Sequence, residues 1–419
     1  MKKLFYAFPI LWIFIPILFF SCSEEPIPYD LSETPLYLDS LTLYNKVSGF
    51  TYQVPPEMWN LDKLYLGDDR GFKNEFILLQ ISSLSMSDGT PLSSLLADTV
   101  TIDSAFLILT FTEDSIPESN PEFQLSFFTN VDSIFDEYDS NYNNFSIDNY
   151  VSEQIGDDTY LSQAEPDSDE VITPSLIFDV TNSREIIADT ASSRSFFIKL
   201  VDNYYESLLA FNSRETYTGP RLSVYYRKFI PSESDDKDTL TLGNIFYAVK
   251  DVSIVEPPDS IDYANDLYVG RAYGLKSILN INLDTLQSLP AQTVFRSESY
   301  LNLPYDTTLI SDKITVEAYL LADTVDPLGS QIYDEDPYSI HLDYDYLLGT
   351  TSWNQDEGLF SINIQPLLQY VHFGELENLG IKLYSDRNND PFKTVNFSNF
   401  NSENDSINNP YISIQYVEP

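Results

Sequence analysis

The sequence predicts an all-β fold: two tandem antiparallel β-sandwiches behind an N-terminal export signal. Three observations carry this. Beyond residue 30, short β-branched and aromatic runs alternate with Asp, Asn, Ser, Pro and Gly, and no long window holds apolar residues at helical spacing. The chain repeats its own landmarks in the same order. Its first 22 residues have the layout of an export signal that ends at the single cysteine.

Met1-Lys2-Lys3 precedes an apolar run from Leu4 to Phe20. The run is short for a membrane span and is broken by Pro9 and Pro16. It ends in Ser21-Cys22, which resembles a bacterial lipobox, with Phe19 and Phe20 departing from the commonest pattern. That resemblance implies removal of residues 1–21 and a diacylglycerol on Cys22, whose acyl chains contribute about 0.8 kcal/mol per buried CH₂. An uncleaved anchor helix is the alternative. Ser23-Glu24-Glu25 resembles the surface-export signal of some Gram-negative lipoproteins, which implies an outer-membrane location facing outward. Residues 22–36 carry Pro26, Pro28 and Pro35 and read as a tether.

The strands come next. Thr101–Phe111 and Ser195–Leu200 are dense in β-branched and aromatic residues, and Arg221–Tyr226 alternates cleanly. Asp39-Ser40-Leu41-Thr42-Leu43 recurs as Asp238-Thr239-Leu240-Thr241-Leu242, and Leu64-Tyr65-Leu66-Gly67 as Leu267-Tyr268-Val269-Gly270. In both copies a glycine turn follows (Gly71, Gly274), then Lys73 or Lys276, then an apolar strand. Both close on Pro and an alternating strand, Pro220–Tyr226 and Pro410–Tyr416. The repeat sets two domains, 37–229 and 238–419, joined by a polar linker at 230–237.

Ser104–Leu109, Phe178-Asp179-Val180-Thr181, Phe211–Glu215 and Pro220–Tyr226 follow one another in the first copy. The second carries Ile278–Leu283, Leu289-Pro290, Ser299–Leu303, Phe360–Ile364, Leu379–Leu383 and Pro410–Tyr416. This order resembles the DNRLRE-type domain, also described as carbohydrate-binding module family 96. The resemblance implies jelly-roll sandwiches, often found on polysaccharide-active or surface proteins, with some members binding acidic polysaccharide such as alginate. Where the first copy has Arg214, the second has Asn401-Ser402-Glu403 or Ser398-Asn399, so no matching arginine site is carried over there.

Composition narrows the partners. Lys plus Arg is 22 against 65 Asp plus Glu, a net charge of −43, which argues against nucleic acid and anionic lipid surfaces. The expected partners are an extracellular polysaccharide or an outer-membrane protein, with the membrane reached through Cys22. With two His and one Cys, neither a His-rich metal site nor a disulfide framework forms.

Arg214 and Glu215 end a strand beside a Gly219-Pro220 loop; Arg214 either grips a sugar carboxylate or hydroxyl, or pairs with an acid and pins the last hairpin. Tyr204 and Tyr205 lead the candidate sugar-stacking rings, with Tyr65, Tyr268, Tyr273, Trp59 and Trp353 behind them. The acids from Asp157 to Glu170, and likewise Asp68-Asp69 and Asp334-Glu335-Asp336, lack calcium-loop spacing and read as solvated loops. No cofactor is expected, and calcium stays open. His341 and His372 have no elbow or metal-ligand spacing around them, so the expectation is a protein that is not an enzyme, with no catalytic residue. A structural or docking role without a glycan ligand is the alternative function.

Overall fold

The computed structural model describes residues 37–81, 92–112, 121–128, 135–146, 148, 152–155, 158–162, 174–188, 194–201, 208–230, 238–258, 266–305, 314–323, 331–340, 348, 350–352, 358–400 and 408–418. The expected signal peptide, Cys22 and the tether lie outside them, as do Tyr204, Tyr205, Trp353, His341 and the acids Asp157, Glu165, Asp167, Asp169 and Glu170.

The chain is all-β, and its named strands pair antiparallel. Alternation explains the local structure. In Val100–Thr110, Ala105, Leu107 and Leu109 are buried in the core while the intervening Phe106 and Ile108 are only half-buried, and a register shift at Ile102–Ser104 interrupts the alternation before them. Burying one such side chain is worth about 1.5–3 kcal/mol.

The N-terminal core lies between two layers. One holds Val100–Thr110, Ser175–Asp179 and Arg221–Ile230; the other holds Phe72–Ile81, Phe123–Phe128 and Ser195–Leu200. Leu107, Phe178 and Val224 from the first layer meet Leu79, Phe127 and Ile198 from the second. The 19-residue strand Asp238–Glu256 serves both layers. Its first half pairs with Arg221–Ile230 and its second half with Phe72–Ile81. The switch falls at a register shift between Ala248 and Lys250, a bulge that turns the strand from one layer to the other.

The second core is also sandwiched. Tyr37–Tyr44, Tyr411–Glu418, Tyr300–Pro304 and Leu359–Asn363 form one layer. Val47–Gln53, Leu275–Ile281, Ile381–Ser385 and Thr315–Leu320 form the other. Leu43, Leu301 and Ile412 face Val47, Leu279 and Leu383 across it. Asn45 turns the chain from layer to layer in the left-handed region, at φ 57°.

Strand pairing therefore departs from boundaries at 37–229 and 238–419. Tyr37–Gln53 joins the C-terminal sheets, its first strand running against the last from Tyr37–Glu418 to Tyr44–Tyr411. Asp238–Glu256 joins the N-terminal sheets. The repeated Asp-Ser/Thr-Leu-Thr-Leu landmark reports alternation, which fixes the buried face of a strand and not the sheet it completes.

An aromatic cluster welds the two halves. Phe392 packs edge-on to Tyr65 and Phe72, at ring-centroid distances of 4.9 and 5.0 Å. Such pairs add about 0.5–1.5 kcal/mol each beyond area burial. The weld sets the segment that holds Glu57 and Trp59 against the turn Gly270–Gly274, where a cleft opens.

Candidate functional site

The turn Gly270–Gly274 is closed by paired backbone hydrogen bonds between Gly270 and Leu275, both near 3.0 Å. Gly274 adopts φ +67°, and a Cβ there would lie 1.7 Å from the carbonyl oxygen of Val54. Glycine is required on both counts. In return Val54 N–H donates to the Gly274 carbonyl at 2.9 Å, which locks the Glu57 segment to the turn.

Under the cleft lies an ionic network. Lys276 and Lys382, on adjacent strands, have side chains 6% and 2% exposed. Both donate to Asp336 Oδ2, at 2.6 and 2.8 Å, and Lys276 also donates to Glu57. Asp336 Oδ1 accepts from the Tyr52 hydroxyl at 3.0 Å and the Tyr338 N–H at 3.1 Å. Lys382 also donates to the Tyr338 carbonyl. The Tyr384 ring lies 4.6 Å from Lys276 Nζ and 5.0 Å from Lys382 Nζ, within cation–π range. Burial, helped by the Lys276 charge, pulls Lys382 down to about 8. Asp336 is held below the usual carboxylate range: burial works against it, and the two ammonium groups outweigh burial. The network is saturated and belongs to the frame of the cleft.

The cleft itself measures about 570 Å³. Trp59, Tyr319 and Tyr384 give it aromatic walls, and Arg271 and Arg387 bring positive charge. Tyr319 and Tyr384 meet edge-on at 5.3 Å, and the Tyr319 hydroxyl donates to Glu317 at 2.8 Å. Trp59 is braced by Tyr138 at 4.9 Å. Arg387 donates to the Asn60 side chain at 3.2 Å. Among the described residues the Arg271 guanidinium makes no hydrogen bond or ion pair, and its Nη1 is buried. Burial lowers its pKa, and the fields of Glu57, Glu317 and Asp386 oppose that loss. A planar fork with an uncommitted edge, beside ring faces, can take a carboxylate or a pair of hydroxyls.

Arg214 stands elsewhere and is fully engaged. Its Nε donates to Glu137 at 2.8 Å, Nη1 to the Val249 carbonyl at 2.9 Å, and Nη2 pairs with Glu215 at 3.0 Å. Its backbone N–H donates to Asp251 at 2.6 Å. Asp251 is pushed up to about 7, first by burial and further by Glu137, against the Arg214 contacts. These bonds tie the strand Leu209–Asn212 to the bulge in Asp238–Glu256. Tyr65 is buried, Tyr268 accepts a hydrogen bond from Asn396 at 3.1 Å, and Tyr273 stacks edge-on against Phe72. Trp59, of the sequence candidates, lines the cleft. His372 donates from Nε2 to the Pro290 carbonyl at 2.9 Å.

Asp336 corrects the reading of Asp334-Glu335-Asp336 as a solvated loop. Asp334 and Glu335 are exposed, but Asp336 turns inward to the two lysines. The sequence signal was Lys382 between Ile381 and Leu383, and Lys276 after Leu275 in a strand that is otherwise buried almost throughout, where a lysine needs a buried partner. Their repeat counterpart Lys73 forms an exposed pair with Glu256, so the first copy builds no such network there. Among the described residues no group of three or more acidic, His or Cys side chains is placed to hold a metal ion.

No family model and no curated protein matches the chain. A solved structure named BspA_C_mut is similar to it at 9% identity, covering 85% of this chain and 89% of that one, with a TM-score of 0.18. Similarity at that score bears on neither fold nor function.

Proposed function

We propose that this protein is a non-catalytic, lipid-anchored outer-membrane protein that faces outward and binds an extracellular polysaccharide in the cleft at the weld. The observation that carries the reading is Arg271, whose guanidinium is uncommitted beside Trp59, Tyr319 and Tyr384. Rings offer faces to sugar rings, and the fork offers paired donors to their oxygens. The lipobox-like end at Cys22 and the acidic Ser23-Glu24-Glu25 support the anchor and its side of the membrane. The resemblance to carbohydrate-binding module family 96 supports the ligand class. With −43 net charge, long-range attraction works against an acidic glycan, so local contacts at Arg271 must hold it.

The test is calorimetric titration of the full-length protein in detergent with neutral and acidic oligosaccharides. Binding of an acidic oligosaccharide that weakens at least tenfold in Arg271→Ala, with the melting transition unchanged, supports the reading. Absence of glycan binding alongside co-purification of an outer-membrane protein contradicts it.

A docking role is the second reading. Tyr225, Ile245 and Tyr247 are 47, 51 and 53% exposed on one outward face of paired strands. A contiguous apolar face of that kind suits a protein partner.

A further inference from the structure

A second and larger cleft, of about 840 Å³, opens at the far end of the C-terminal core. Four separate segments build it. The Asn45 turn joins the first two strands, Asn280 is next to last in the strand Leu275–Ile281, and Gln287 sits on the short turn Asp284–Ser288. Asn378 follows the helix Gln365–His372. Asn45, Asn280 and Gln287 are exposed, and among the described residues their side-chain amides make no hydrogen bond. Asn378 donates to the Ile281 carbonyl at 2.6 Å, which fixes its side chain, while its Oδ1 is buried without a donor. Phe400 closes one edge with its ring 39% exposed. Its position is held because the preceding Asn399 clamps Gly49 through both N–H and carbonyl, at 3.1 and 2.8 Å.

We infer that this cleft is a separate binding site for a neutral, hydroxyl-rich sugar chain. A carboxamide donates and accepts at once, as each sugar hydroxyl does, so amides converging from several elements match vicinal hydroxyls. Phe400 supplies the apolar ring face. The charged groups at the wall are Lys46, Asp284 and Glu377, so acids outnumber bases, within a protein of net charge −43. An anionic ligand meets repulsion there and a neutral one does not. The cleft shares no lining residue with the Arg271 cleft, so the two sites stand or fall independently.

The full-length protein in detergent is titrated with cellohexaose, xylohexaose and mannohexaose, and in a second arm with an oligogalacturonate. The double variant Asn280→Ala/Gln287→Ala and the single Phe400→Ala alter exposed side chains and leave the core intact. At least one neutral hexasaccharide binds, and both variants weaken it tenfold or more while Arg271→Ala leaves it unchanged. Failure of all three to bind overturns the inference, and so does binding that the amide variant does not move. The oligogalacturonate arm reads the Arg271 cleft alone, so a loss there leaves this result unaffected.

Discussion

Asp336 answers to four donors, and its removal would strand two ammonium groups that water hardly reaches. Breaking a buried ion pair from one side costs about 3–5 kcal/mol, whereas replacing the whole group by apolar residues of similar volume is far cheaper. Asp336→Ala is therefore expected to destabilise the protein by about 3–5 kcal/mol in urea unfolding. The triple variant Lys276→Met/Lys382→Met/Asp336→Leu should cost less than that single change; a larger cost would contradict the ionic account. Asp251 makes a second case, with the sign set by protons. Its carboxyl is pushed up to about 7 when folded and is near 3.9 when unfolded, so the folded state holds more protons between those values. Stability from this group is thus lost as pH rises through that window. Asp251→Asn should shrink the drop in urea midpoint between pH 4.5 and 7.5, and an equal drop in the variant would count against the assignment. At this scale the sequence was half legible. Arg214 stood out by chemistry, but its partner Glu137 lies 77 residues away, and distant pairing is invisible to local pattern. Asp336 was hidden among neighbours of the same charge that do face water.

Strands were the most legible elements, because alternation writes the buried face directly into residue order, as in Arg221–Tyr226 with Leu222, Val224 and Tyr226 inward. Which sheet a strand joins was not legible. Asp39–Leu43 looks like Asp238–Leu242 in sequence, yet each completes the other half's sheet. The strand Tyr37–Tyr44 therefore closes the C-terminal sandwich, and deleting residues 37–53 should unfold that half while Asp238–Glu256 keeps its partners. Hydrogen exchange measures this: protection lost across Leu275–Ile281 and Tyr411–Glu418, and retained across Phe72–Ile81. Uniform loss or uniform retention would contradict the pairing. The turn at Gly274 gives a finer test. Gly274→Ala meets both a left-handed backbone and the Val54 carbonyl, whereas Gly374→Ala at φ +71° meets nothing within 4 Å. The second should cost about 1–2 kcal/mol for its backbone alone, and the first clearly more. Equal costs in thermal unfolding would mean that the Val54 contact does not hold the turn.

For the whole molecule, the weld of Phe392 against Tyr65 and Phe72 does two jobs. It joins two cores, and it brings Trp59 from one half to Arg271 from the other. The repeated landmarks carry no sign of the cleft, because its lining comes from stretches of both copies, Pro55–Asn60 and Gly270–Asn388. Charge at this scale works against acidic ligands in general, so the proposed glycan site rests on the local cluster at Arg271. The most direct measurement is affinity for an acidic oligosaccharide, an oligogalacturonate, in the full-length protein and in Arg271→Ala, at fixed ionic strength and with melting followed alongside. Affinity reduced at least tenfold, with the same melting transition, is the result expected. Equal affinity in the two proteins, or no affinity in either, would contradict a glycan site at Arg271.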